Sequence, residues 1–181
     1  MNGNKVVVIW GPHASGKTTF VKQFVEKHQF NGYVFHDGAK GLSGNKQEKI
    51  QNLEAILKDL HRDAIFEGHK LPISLIEPFC AWTQEFNYEL LIILVVCSPQ
   101  RFVSNLKHRK LSKGKEWTEK EANWENKFDA GLRHLNHCTK VFENISNKNK
   151  ITFLTYRLPE HNLNFFVYKE IEECMIRFLN A

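Results

Sequence analysis

The segment Gly11-Pro12-His13-Ala14-Ser15-Gly16-Lys17-Thr18 fits the pattern GxxxxGK[ST] at every fixed position, and it lies between a strand-like run and a helix-like run. No other feature restricts the folding of this chain as strongly. Before it, Lys5 to Trp10 (KVVVIW) is an apolar, β-branched run closed by Gly-Pro, which predicts a strand covered on both faces, central in a parallel sheet. After it, Phe20, Val21, Phe24 and Val25 recur at helical spacing and predict a helix over Thr18 to His28. A strand that passes through a glycine turn into a helix aims backbone N–H groups and the positive end of the helix dipole at one point, a cradle for phosphate oxygens. In such a cradle Lys17 reaches the β- and γ-phosphates, and the Thr18 hydroxyl is a ligand for Mg²⁺. The expected donor-binding residues are Gly11, Pro12, His13, Ala14, Ser15, Gly16, Lys17, Thr18 and Thr19.

The rest of the chain repeats the alternation of strand and helix. Tyr33 to Phe35 predicts a second strand. Ile50, Leu53, Ile56 or Leu57, and Leu60 mark an amphipathic helix, and Ala64 to Glu67 a third strand. A helix between Ile73 and Phe86 has limits blurred by Pro72 and Pro78. Leu90 to Cys97 (LLIILVVC) is the most apolar stretch and predicts a fourth strand, after which Ser98 and Pro99 supply an N-cap and a first-turn proline. Thr118 and Glu121 form a capping-box pattern for a helix with Trp124, Phe128, Leu132 and Leu135 on one stripe. Ile151 to Tyr156 and Phe165 to Leu179 read as a last strand and a closing helix. With 181 residues, the chain is expected to form a single α/β domain whose five-stranded, mainly parallel sheet is flanked by helices and binds ligands beyond the strands' carboxyl ends.

These residues carry a resemblance to the P-loop kinases, the group of nucleoside, nucleotide and polynucleotide kinases, and it extends over most of the chain. The resemblance implies the P-loop NTPase fold, ATP as donor and Mg²⁺ as cofactor. It also implies roles for particular residues. Asp37, just after the second strand, occupies the place of an acid that faces the acceptor and would take the acceptor hydroxyl's proton. Lys40, three residues on, is similar to a basic residue that holds an acceptor phosphate in polynucleotide kinases. Glu67 ends the third strand where a metal-supporting acid is usual, although that acid is commonly Asp. The basic segment Lys107 to Lys120 (KHRKLSKGKEWTEK) resembles the LID, a flap whose arginines close over the phosphates. Arg109 is the preferred LID arginine, with Arg101, Lys107 and Lys110 as secondary candidates.

A net charge of +5 suits an anionic acceptor, and with Asp37 and Lys40 it directs the expectation to nucleic acid. The expected activity is that of a polynucleotide-kinase-like enzyme, with phosphorylation of 5-hydroxymethyluracil in phage DNA as a particular form. A kinase of free nucleosides or their monophosphates is the alternative. A hydrolysing switch is a third reading, although the guanine-reading N/TKxD motif is absent. No apolar run approaches the length of a membrane span, and four widely spaced cysteines without a CxxC pair fit a reducing cytoplasm. His134, His137 and Cys138 have helical spacing but no fourth zinc ligand. Of the tryptophans, Trp117 is the one set among charges; Trp10, Trp82 and Trp124 read as core.

Overall fold

β1 (Lys5–Trp10) is buried at every position, which only a strand with hydrogen-bonded neighbours on both edges and helices on both faces achieves. In the computed structural model, which describes residues 4–11, 15–36, 45–68, 73–117, 139–141, 143–145, 151–157 and 164–181, those neighbours are β3 (Ala64–Gly68) and β4 (Glu89–Val96). β2 (Tyr33–His36) pairs outside β3, and β5 (Thr152–Arg157) outside β4. The order is β2-β3-β1-β4-β5, and every pairing is parallel. This is the P-loop NTPase fold expected above, with a sheet that is parallel throughout.

The period of two along the strands sorts the core into two layers. Val6, Val8 and Trp10 of β1, with Leu90, Ile92 and Leu94 of β4, pack against α2 (Lys46–Lys58) through Leu53 and Leu57 and against α3 (Ile73–Glu85) through Phe79 and Cys80. Val7 and Ile9, with Leu91, Ile93 and Val95, pack against α1 (Lys17–Lys27), α4 (Pro99–Leu111) and α5 (Asn164–Asn180). Truncating a fully buried residue such as Leu91 to Ala would cost about 2–5 kcal/mol.

Local chemistry sets the helix limits. Asn45 Oδ1 accepts from the N–H groups of Gln47 and Glu48, both at 3.0 Å, while Glu48 returns a carboxylate to the Asn45 N–H, a capping box that opens α2. The Ser98 hydroxyl accepts from Arg101 N at 3.2 Å ahead of Pro99, so α4 begins as its sequence indicates. α3 runs through Pro78, which removes one internal hydrogen bond without ending the helix. In the basic segment, Lys107 to Leu111 form the end of α4, because Lys and Arg are good helix formers whose charges complement the dipole in a last turn. Ser112 to Gly114 then turn the chain, with Gly114 at φ +67°. The capping box at Thr118, the stripe from Trp124 to Leu135 and the group His134, His137 and Cys138 lie outside the described residues. No helix among the described residues is long and apolar enough to cross a membrane.

Candidate functional site

Parallel strands bring their carboxyl ends to one edge, and register determines which side chains meet there. Glu67 pairs with Ile9 of β1 on one side and with His36 of β2 on the other. Period two places Glu67 on the face of Ile65 and His36 on the face of Val34, the face covered by α1. Both side chains therefore point toward the start of α1.

Three residues meet there. Thr18 Oγ1 donates to Glu67 Oε2 at 3.1 Å, and His36 Nδ1 donates to the same oxygen at 2.9 Å. The Glu67 side chain is almost wholly buried, whereas Thr18 is exposed. A hydroxyl oxygen beside a carboxylate oxygen, open on one side, is the hard-oxygen donor set that Mg²⁺ prefers. The two residues expected at the metal thus fit that ion. Among the described residues no group of three or more His, Cys, Asp or Glu side chains converges as a separate metal site.

The phosphate loop begins and ends on glycines that the backbone requires. Gly11 adopts φ +155°, and a Cβ there would lie 2.4 Å from the Val95 carbonyl oxygen, so the chain leaves β1 pressed against β4. Gly16, the N-cap of α1, has φ +95° in the left-handed region, where a side chain would be strained. Between them Ser15 is fully buried, and Lys17 folds back so that Nζ donates to Ser15 Oγ at 3.1 Å. Thr19 is exposed one residue beyond Thr18.

Arg101, in the first turn of α4, is buried, and its charge reaches Cys97 and Tyr168. Burial pushes the Cys97 thiol up to about 11, against the opposing influence of Arg101 and Lys17, so it is an inert thiol beside the loop. Cys80, in the opposite layer, is pushed up to about 12, chiefly by burial and further by Glu77. Tyr168 of α5 donates its hydroxyl to the Ser15 carbonyl at 2.8 Å and stacks on Phe20 with ring centroids 4.8 Å apart.

The sequence candidates therefore separate. Gly11, Ser15, Gly16, Lys17, Thr18 and Glu67 are brought together. Arg109 is exposed in the last turn of α4, whereas Arg101 lies inside, among the groups around the loop. Pro12, His13, Ala14, Asp37 and Lys40 lie outside the described residues. Trp10 is core and Trp82 packs against it, while Trp117 is half-buried. Sequence reasoning missed His36 and Tyr168. His36 had one available signal, its place at the end of a strand next to a candidate acid; Tyr168 had none, being one more ring in an amphipathic helix.

No protein-family model and no curated protein matches this sequence. Solved structures do match along nearly the whole chain. Shikimate kinase from Bacteroides thetaiotaomicron is 11% identical with a TM-score of 0.58, the alignment covering 95% of this chain and 98% of that one. The YorR protein of Bacillus subtilis, solved with phosphorylated GDP, is 12% identical with a TM-score of 0.57, covering 95% of this chain and 96% of that one. The tunicamycin resistance protein of Deinococcus radiodurans is 12% identical with a TM-score of 0.56, covering 96% of this chain and 95% of that one. The chain shares its fold with kinases of the P-loop type.

Proposed function

We propose that this protein is an ATP-dependent kinase that transfers the γ-phosphoryl group to a hydroxyl of a nucleic-acid acceptor. One observation carries the kinase reading: the Thr18 hydroxyl, next in sequence to the buried Lys17, meets the strand-terminal Glu67 at 3.1 Å. A glycine turn that merely joined a strand to a helix would need neither a buried ammonium nor a carboxylate facing its hydroxyl. The kinase fold of the solved neighbours supports the same reading.

Each residue has a part. Loop N–H groups and Lys17 would hold the donor phosphates, and Thr18 and Glu67 would hold Mg²⁺. The ion supplies neutralisation of charge on the phosphate oxygens. Arg101 adds positive charge from the loop's flank, and Arg109, in the last turn of α4, is the arginine that steadies charge on the transferring phosphoryl group. As the acceptor oxygen bonds to the γ-phosphorus, the bond to the β,γ-bridging oxygen breaks and ADP leaves. The acceptor's proton passes to Asp37. Catalysis here is positioning and charge neutralisation, because a loose phosphoryl transition state asks little covalent work of a side chain.

The acceptor reading rests on charge. Lys107, His108, Arg109, Lys113 and Lys115 are all exposed on or just after the end of α4, a surface suited to a polyanion. Phage DNA containing 5-hydroxymethyluracil is one such acceptor. A second reading, a free nucleoside or nucleotide acceptor, is favoured by YorR, whose structure holds phosphorylated GDP.

The test follows labelled γ-phosphate from ATP with Mg²⁺ into DNA ends bearing 5′-hydroxyls, duplex DNA containing 5-hydroxymethyluracil, and free nucleosides with their monophosphates. Label in polymer supports the nucleic-acid reading, and label only in small molecules replaces it with the second. ATP hydrolysis that is indifferent to every acceptor would overturn the kinase reading.

A further inference from the structure

Resting on the nucleotide-binding reading above, we propose that Tyr168 of α5 is a positioning residue for the phosphate loop, which turns the Gly16 amide toward the bound phosphate. The Ser15 carbonyl and the Gly16 N–H belong to one planar trans peptide unit, so they point in opposite directions. Holding one aims the other. The Tyr168 hydroxyl holds the carbonyl from the side of α5 at 2.8 Å, and the Gly16 N–H is thereby directed away from α5.

Glycine makes such a hold necessary. Without a side chain Gly16 meets little steric resistance to rotation of the peptide unit before it, and its φ of +95° is only one of several conformations open to it. A loop built of such units needs an external constraint if its N–H groups are to converge on an anion. Tyr168 is fit to supply one, because it is itself fixed. Its ring stacks on Phe20 of α1 at an interplanar angle of 21° and lies against Gly16, where an added Cβ would be 3.5 Å from Tyr168 Cε2. Burial raises its phenol well above the ordinary value, so the hydroxyl keeps its proton and remains a donor. α5 thus connects to the loop and to the first turn of α1 through a single side chain, although Ser15 and Tyr168 are 153 residues apart.

Tyr168→Phe keeps the ring and its stack and removes only the hydroxyl. Affinities of wild type and variant would be measured calorimetrically for Mg²⁺-ATP, for inorganic tripolyphosphate and for adenosine, alongside the unfolding midpoint and amide hydrogen exchange at Gly16. The expected result is about five- to tenfold weaker binding of both phosphate ligands, the size of one hydrogen bond. Adenosine affinity should be unchanged, the midpoint should fall by no more than the few degrees one lost hydrogen bond costs, and in the Mg²⁺-ATP complex exchange at Gly16 should quicken while that at Phe24, inside α1, stays constant. Phosphate affinities and Gly16 exchange equal to wild type would overturn the proposal and leave Tyr168 as packing alone. Wild-type protein that binds neither ATP nor tripolyphosphate would instead overturn the reading of the loop on which it rests.

Discussion

The carboxyl edge of β1 and β3 and the end of α4 both carry charge, but they carry it in opposite ways. At the strand edge Lys17, Glu67 and Arg101 are buried, and the hydrogen bonds of Lys17 and Glu67 run to Ser15, Thr18 and His36. At the end of α4, Lys107, His108, Arg109, Lys113 and Lys115 stand in solvent. A buried charge is tolerated only where partners fix it, so the first region is rigid in composition and geometry. A solvated charge costs little to hold and contributes little until a ligand removes its water. The first region has the character of a site built for one ligand chemistry, and the second of a surface that takes its organisation from what binds.

The largest effect should come from the buried set. Lys17→Met removes the ammonium proposed to hold the donor phosphates and should lower phosphoryl transfer by about 10²–10³-fold while the unfolding midpoint stays within a few degrees. Transfer at the wild-type rate in that variant would sink the mechanism. Next, Glu67→Gln keeps an acceptor oxygen for Thr18 but discards the charge proposed to support the metal. Nucleotide affinity in excess chelator should be unchanged, whereas the Mg²⁺ requirement should rise by about 10–100-fold in a metal titration.

The solvated set should respond differently in kind. Replacing Arg109, Lys113 and Lys115 together with Gln should leave ATP affinity intact. It should raise the KM for a polymer acceptor and make its salt dependence shallower, by about one in the log–log slope for each phosphate that is no longer neutralised. An equal loss of ATP affinity would erase the distinction between the two regions. The smallest effect belongs to a surface group, Glu172 of α5, which accepts from Lys27 at 2.7 Å and His28 at 2.6 Å. Those hydrogen bonds hold its carboxyl below the ordinary value of 4.5. The contribution to stability is therefore present above that value and is lost as pH falls through the folded one. Denaturant titrations of wild type and Glu172→Gln should differ by less than about 1 kcal/mol at neutral pH and converge in acid.

The sequence was most legible where structure is local. Lys5 to Trp10 and Leu90 to Cys97 announced buried strands, and Gly11 to Thr18 announced the turn between strand and helix, because the same few residues both encode and form these features. Ser98 and Pro99 foretold the start of α4 for the same reason. Helix propensity, equally local, carries α4 through Lys107 to Leu111, the residues that open the basic segment.

The site was legible only in part. The identities of Lys17, Thr18 and Glu67 stood in the sequence, but nothing in it brought Thr18 within 3.1 Å of a residue 49 positions away. That distance depends on the pairing of β1 with β3, and the contact of His36 with the same carboxylate depends on β2 pairing with β3. The inward placement of Arg101 against the outward placement of Arg109 follows from the way α4 packs on the sheet through Phe102. Tyr168 reaches Ser15 only because α5 lies beside α1. The chain by itself determined which residues can hold a phosphate, since that chemistry belongs to side chains and to glycines in a turn. Tertiary structure decided which of them meet, since strand register and helix packing join residues that sequence order keeps apart.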